Sequence, residues 1–263
     1  MDNNLRKRDV VIIVPYRNRQ SHLSTFLKVM PHILEDKRYE IVFVHQCDNR
    51  PFNRGAIKNI GLLYLKRYYP ESYKDITMIF NDIDTLPKYK NQFSYNTIPG
   101  KVEHYYGYQF ALGGIFAINA GDFEKINGFP NIWTWGLEDN ILLKRCNNAG
   151  IKISRDNFVS VASKEKMIIL DHGNIRYMSD YIANKYHNDI GTDGIRSLYN
   201  LKLNPVYINP NVTELQVNSF ETGESLKSPF VRSAGNIDVS KRGITFDKKA
   251  IMGGSKWKKT MLF

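Results

Sequence analysis

The chain has 263 residues, of which 42% are hydrophobic and 24% charged, and its 37 Lys and Arg against 26 Asp and Glu give a net charge of +11. These proportions exclude disordered, collagenous and fibrous classes and fit one large domain, or one domain with a small appendage. The positive charge favours polyanionic partners (nucleic acid, an anionic membrane or a nucleotide-linked substrate) without choosing among them.

Val10 to Val14 is a continuous β-branched run stopped by Pro15, the pattern of a strand buried on both faces. A polar loop, Arg17 to Gln20, precedes a helix from Ser21 with Leu23, Phe26, Leu27, Met30 and Leu34 at helical spacing. Tyr39 to Val44 is the next strand, Asn53 to Tyr69 a second helix, and Asp75 to Phe80 a third strand ending at Asn81-Asp-Ile-Asp84. Strand, helix, strand, helix, strand implies parallel pairing. Ligands in such sheets sit beyond the carboxyl ends of the strands, which here carry Tyr16–Arg19, Gln46–Arg54 and Asp82–Asp84.

The middle of the chain is aromatic and Gly-rich around Gly113-Gly114. Ile118 to Gly128 and Glu138 to Asn148 read as helices, and residues 151–172 as strands and loops ending at His172. Beyond Pro205 the chain turns polar and turn-rich. The expected division is therefore a main domain over 1–205, the catalytic one if the chain is an enzyme, and a C-terminal extension of unknown role over 206–263. Two cysteines, Cys47 and Cys146, argue against a disulfide framework and for a reducing compartment. No apolar run reaches the length of a signal-peptide core or membrane span, so the expected location is cytoplasmic.

Four sets of residues could carry chemistry. Asp82 and Asp84, at i and i+2, face one side of a strand end, where they could hold a divalent cation and orient a diphosphate. The same pattern also serves solvated turns. In Trp133-Thr-Trp-Gly-Leu-Glu-Asp139, indoles that could pack on sugar rings precede two acids at a helix start. An acid pair complementing the helix dipole beside a core Trp reads equally well. His172 becomes a ligand only if it lies near Asp84, and oxygen plus imidazole suits Mn²⁺ better than Mg²⁺. Arg17, Arg19 and Arg54 could clamp a diphosphate. No phosphate loop, dinucleotide fingerprint, nucleophile elbow or zinc spacing occurs, and no recognised nucleic-acid motif accompanies the charge.

Taken in order, these segments resemble the β-1,4-galactosyltransferase family, glycosyltransferase family 7. The likeness runs through Val14-Pro-Tyr-Arg-Asn-Arg-Gln20, Phe52-Asn-Arg54, Asn81-Asp-Ile-Asp84, Gly113-Gly114, Ile126-Asn-Gly-Phe-Pro130, Trp133 to Asp139, Ile153-Ser-Arg155, Asp193-Gly and Ser197-Leu198. The resemblance implies an α/β glycosyltransferase A (GT-A) fold, an open and mostly parallel sheet with helices on both faces. It implies transfer of a hexose, galactose first, from a uridine diphosphate (UDP) sugar to a glycan or glycosylated acceptor, with Mn²⁺ as cofactor and inversion of configuration. By position, Asp84 and His172 would bind the metal. Pro15, Tyr16, Arg17, Arg19, Phe52, Arg54, Asp82, Ile83, Gly114 and Trp135 would hold the nucleotide sugar. Glu138 and Trp135 would bind the acceptor, and Asp139 would be the general base.

The chain departs from the family pattern in places. Ile169 stands where the family often has a Met ligand three residues before its metal His. Ala111 stands where a bulky ring limits the donor sugar, so UDP-glucose or UDP-N-acetylgalactosamine become alternative donors. Leu137 replaces a lid Gly. Cys47 and Cys146 do not fall on the family's disulfide positions, and its Golgi anchor has no counterpart here. A non-catalytic sugar- or nucleotide-binding module is the alternative of another class.

Overall fold

The computed structural model describes residues 8–133, 136–171, 177–179, 186, 188–223 and 236–238. The elements in chain order are β1 (Val10–Tyr16), α1 (Gln20–Ile33), β2 (Tyr39–Gln46), α2 (Arg54–Tyr68), β3 (Thr77–Asn81), β4 (Thr85–Pro87), β5 (Lys101–Gly107), β6 (Ile115–Asn119), α3 (Ala120–Lys125), α4 (Glu138–Asn148), β7 (Lys152–Ser154), β8 (Val159–Ser160), β9 (Met167–Ile169), β10 (Tyr177–Ser179), β11 (Tyr199–Asn209), β12 (Val212–Glu221) and β13 (Asn236–Asp238). The main sheet has the order β11-β12-β2-β1-β3-β6-β5-β7, with β8 also on β5. β1 pairs in parallel with both β2 and β3, as the alternating strands and helices require.

The all-apolar β1 is explained by what covers it. Val11 and Ile13 pack with Ile57 and Ile60 of α2 on one face. Val10, Ile12 and Val14 pack with Leu23, Phe26 and Met30 of α1 on the other. Pro15, expected to end the strand, lies inside it. β1 keeps β2 as a neighbour through Tyr16, but its pairing with β3 ends at Ile13, so an N–H is dispensable there. Asn53 is the cap of α2 rather than its first residue, its Oδ1 accepting from Ala56 N at 2.9 Å. The helix expected over 118–128 is shorter, because Ile115–Ile118 is apolar throughout and enters the sheet in β6, antiparallel to β3, while Asn119 caps α3.

The expected division at 205 is not where the structure divides. β11 runs across that position, and β12 pairs in parallel with β2 over Val212–Val217. Val212, Leu215, Val217 and Phe220 are buried, so residues 206–221 belong to the main sheet. Alternation of apolar and polar residues in β12 looks polar on average although one face is core. Cys47 and Cys146 are both free thiols, one exposed and one buried. Among the described residues, no helix is long and apolar enough to cross a membrane.

Candidate active site

The carboxyl ends of β1, β2 and β3 open on one edge of the sheet, and each carries expected site residues. Tyr16 closes β1, buried, with its ring edge-on to His45 at 4.7 Å between centroids. Arg17 then donates from Nη1 to the Arg50 carbonyl, and Arg19 donates to the Asp171 carbonyl at 3.3 Å. Gln46, the last residue of β2, folds the following loop around itself. Its Nε2 donates to Asp48 Oδ1 at 2.8 Å and to the Pro51 carbonyl at 3.0 Å, and its Oε1 accepts from Asn53 N at 2.9 Å. That loop delivers Phe52 and Arg54 together, with the guanidinium 5.1 Å from the ring centroid.

The acidic centre is assembled from four separate stretches. After β3, Asn81 Nδ2 donates to the carbonyls of Asp82 and Thr85, each at 2.8 Å, and holds the turn that carries Asp82, Ile83 and Asp84. Asp82 N donates to the Gly114 carbonyl at 3.2 Å, and Leu112 N to the Asp139 carbonyl at 3.0 Å. The segment 111–114 therefore lies between the Asp82 turn and α4. Gly114 has φ +73°, which demands glycine, and a Cβ on Gly113 would stand 2.3 Å from Asp139 Oδ2, so that the carboxylate would have to move. Beneath, Lys58 of α2 reaches Asp139 Oδ1 at 3.2 Å and Asp82 Oδ1 at 3.9 Å. Burial opposes the Lys58 charge, but Asp139, Asp82 and Glu138 outweigh it and hold its ammonium above the ordinary lysine value. Burial raises the Asp139 carboxyl, Lys58 pulls it back, and Glu138 and Asp82 raise it again, leaving it above the usual carboxylate range.

Several buried polar groups that sequence reasoning missed keep this centre in place. His104 Nε2 donates to the carbonyls of Tyr106 and Gly113, each at 3.1 Å, while its Nδ1 accepts from Arg155 Nε at 3.2 Å. Burial and the neighbouring guanidinium push His104 down to about 4, so the ring is neutral and its Nε2–H fixes the Gly113 carbonyl. Asn59 holds the Phe129 backbone through both its amide groups, at 2.8 and 2.9 Å, and Asn131 binds Asp193 at 2.8 and 2.9 Å. Arg50 lies 4.6 Å from the Trp133 and Phe220 ring centroids, linking the loop after β2 to the start of the tryptophan segment and to β12.

Of the expected site residues, Asp82, Asp139 and Gly114 come together with Gly113 around Lys58. Pro15, Tyr16, Arg17, Arg19, Phe52 and Arg54 line the same sheet edge. Glu138 is buried, and its Oε2 accepts from Gly136 N at 3.1 Å. Leu137, in place of glycine, takes the left-handed region at φ +70° just before α4. Ala111 is buried in the turn closed by its own N–H to the Tyr108 carbonyl at 3.3 Å. Trp135 and His172 lie outside the described residues.

Of the two expected metal ligands, Asp84 is described, at the end of the turn after β3. β4 pairs with β9, and Leu170 N donates to the Asp84 carbonyl at 2.8 Å, which brings the chain beside Asp84 two residues before His172. Tyr106 feels the negative field there: burial first, then the charges of Tyr108, Asp84 and Asp82, push its hydroxyl up. Among the described residues, no group of three or more His, Cys, Asp or Glu forms a complete metal cluster.

The comparisons with known proteins agree with this geometry. Residues 2–96 match the N-terminal region of glycosyl transferase group 7, and residues 94–172 match the family model described as the N-terminal domain of galactosyltransferase. β-1,4-Galactosyltransferase 5 of Sus scrofa is 31% identical over 205 residues, covering 72% of this chain and 50% of its own length. β-1,4-Galactosyltransferase 6 of Homo sapiens is 31% identical over 205 residues, covering 72% of this chain and 51% of its own. The chain spans about half the length of these relatives. A solved structure of a Drosophila β-1,4-galactosyltransferase 7 variant, complexed with manganese, UDP-Gal and xylobiose, superposes with a TM-score of 0.67 at 21% identity, over 81% of this chain and 94% of that one. The fold is thus the α/β GT-A fold. Two consecutive family matches, the 31% relatives and this shared fold place the chain in glycosyltransferase family 7, the β-1,4-galactosyltransferase family.

Proposed function

We propose that the chain is an inverting, Mn²⁺-dependent hexosyltransferase that moves galactose from UDP-galactose to an acceptor hydroxyl, with Asp139 as general base. The observation that carries this reading is the convergence of the Asp82–Asp84 turn, Gly113-Gly114 and Asp139 at the carboxyl edge of the sheet. Asp139 has two properties that suit a base, a carboxylate oxygen packed on the Gly113 backbone and a carboxyl raised toward neutral pH. The Drosophila relative bound to manganese, UDP-Gal and xylobiose supports the substrate classes, a UDP-sugar and a glycan acceptor.

In this reading Pro15, Tyr16, Arg17, Arg19, Phe52, Arg54, Asp82, Ile83 and Gly114 hold the nucleotide sugar. Glu138 and Trp135 serve the acceptor. Asp84 and His172 would hold Mn²⁺, which when bound supplies countercharge to the leaving diphosphate. The acceptor oxygen attacks the anomeric carbon from the face opposite UDP and gives its proton to Asp139. The new carbon–oxygen bond forms as the sugar–phosphate bond breaks, and UDP leaves with the electron pair. One displacement inverts the anomeric centre. Orientation of the two substrates supplies much of the acceleration.

The test is UDP release from UDP-galactose, UDP-glucose and UDP-N-acetylgalactosamine, with and without Mn²⁺, in the presence of saccharide acceptors. Mn²⁺-dependent turnover with UDP-galactose preferred is expected. Turnover confined to UDP-N-acetylgalactosamine would transfer the donor assignment to the room left by Ala111. Absence of turnover together with absence of Mn²⁺-dependent UDP binding would overturn the enzymatic reading. In the same assay Asp84→Asn is expected to weaken Mn²⁺-dependent UDP binding roughly 10-fold or more, and an unchanged Mn²⁺ requirement would place the metal elsewhere.

Gly113→Ala probes the base directly. The added methyl would meet Asp139 Oδ2 at 2.3 Å, so the carboxylate must move. A displacement of this size is expected to lower kcat on the order of 100-fold, with UDP binding retained. Wild-type kcat in that variant would show that Asp139 Oδ2 is not at the reacting position.

A further inference from the structure

Lys58 is a buried ammonium to which the proposed reaction assigns no part. It lies 2% exposed in the middle of α2, among residues that are buried from Gly55 to Leu62. A lysine there carries a desolvation cost that a structural helix position would avoid with an apolar side chain. Its Nζ meets Asp139 Oδ1 at 3.2 Å, Asp82 Oδ1 at 3.9 Å and the Phe129 ring at 4.7 Å from the centroid. These contacts tie four separate segments together: α2, the turn after β3, the segment between α3 and α4, and the start of α4.

Resting on the transferase reading above, we propose that Lys58 is the positioning residue of the general base. It holds Asp139 by Oδ1, leaves Oδ2 over Gly113 to take the acceptor proton, and neutralises Asp82 so that the donor-side acid does not repel the base. The charged and titratable groups facing this pair are Asp82 after β3, Glu138 at the start of α4, and Tyr106 of β5, which faces Asp82. Three carboxylates surround one ammonium. Removing that ammonium leaves Asp139 among like charges with nothing to fix its torsion or to favour its ionised form.

The experiment uses Lys58→Met, which keeps the length of the side chain and removes its charge. With UDP-galactose as donor, kcat is expected to fall on the order of 100-fold while the UDP dissociation constant changes by less than about threefold. The acid limb of the kcat–pH profile is expected to move to higher pH. Lys58→Arg, which keeps the charge, should recover part of kcat and return the acid limb toward its original position. On an Asp139→Asn background, Lys58→Met should cost no further activity, since the base it serves is gone. If Lys58→Met does not fold, Lys58→Gln, which keeps a hydrogen bond without the charge, takes its place with the same expected outcomes.

Wild-type kcat with an unmoved acid limb in the charge-free variant would overturn the proposal. So would a loss of UDP affinity that accounts for the whole loss of activity, since Lys58 would then be a donor ligand. Carboxyl-carbon NMR titration of Asp139 in both proteins separates this inference from the transferase reading, because it needs no turnover. If the wild-type chain neither releases UDP nor binds it in a Mn²⁺-dependent way, the transferase reading fails by itself. An Asp139 titration unchanged by Lys58→Met then overturns the clamp as well, and a titration displaced to higher pH upholds it.

Discussion

Asp139→Asn is expected to lower kcat by about 10³-fold, within the range that a positioned general base contributes, and to leave UDP binding within about threefold. The argument is geometric and electrostatic. Asn keeps the shape and can still accept from Lys58 Nζ, the 3.2 Å partner of Oδ1. It cannot take a proton from an acceptor hydroxyl. The charge is lost as well, so the buried Lys58 keeps only Asp82, at 3.9 Å, and the field of Glu138, and some loss of thermal stability accompanies the loss of activity. Circular dichroism and UDP binding on the same preparation separate the two effects. The wild-type pH profile carries a second signature. Because burial, Glu138 and Asp82 raise the Asp139 carboxyl despite Lys58, the ionised base forms only as pH rises above the ordinary Asp value of about 3.9. Activity should therefore climb with pH along a limb displaced upward from that value, and the limb should vanish in Asp139→Asn. Near-wild-type transfer by the variant would remove Asp139 from the reaction.

Arg145→Met is expected to destabilise the fold by about 3–5 kcal/mol, which corresponds to roughly 10 °C in Tm for a domain of this size. Arg145, on α4, is 4% exposed, as is its partner Asp189, and the two form a paired contact at 2.8 and 2.7 Å. The remaining guanidinium donors reach the carbonyls of Gly128 and Asp193 at 2.7 Å each, and of Asn127 at 3.3 Å. Methionine fills much of the volume but strands a buried carboxylate and these carbonyls, the asymmetric case in which one partner of a buried pair is removed. Asp193 also holds Asn131, so the path leading to Trp133 should loosen together with the fold. Thermal and denaturant unfolding check the first effect. A Tm within 2 °C of wild type would show that the network is solvated in solution and does not support this side of the site.

The acids and the aromatic segment were legible because their types and order along the chain are distinctive. Asp82-Ile-Asp84 ends an apolar strand, and Glu138-Asp139 opens a helix whose limits, Glu138–Asn148, match those expected from its pattern. Lys58 was not legible in the same way. A lysine in a helical run reads as solvated, and the one clue was its place in a segment apolar on nearly every side, Gly55 to Leu65. His104, Asn59, Asn131 and Arg145 were missed for the same reason, since a polar residue declares itself buried only through partners remote in the chain. Residues 206–221 were misplaced because alternating polarity in β12 hides a strand that has one face in the core.

The sequence by itself determined the α/β class, the parallel pairing of the first three strands and the family, because apolar runs, helical spacing, caps and ordered motifs are properties of neighbouring residues. Only the tertiary structure decided that β12 joins the sheet beside β2, that Gly113 lies against the Asp139 carboxylate, and that Lys58 meets Asp139 beside Asp82. Those facts join positions separated by tens to more than a hundred residues. Burial and Coulomb energy depend on distance in space, which the order of residues along the chain does not record.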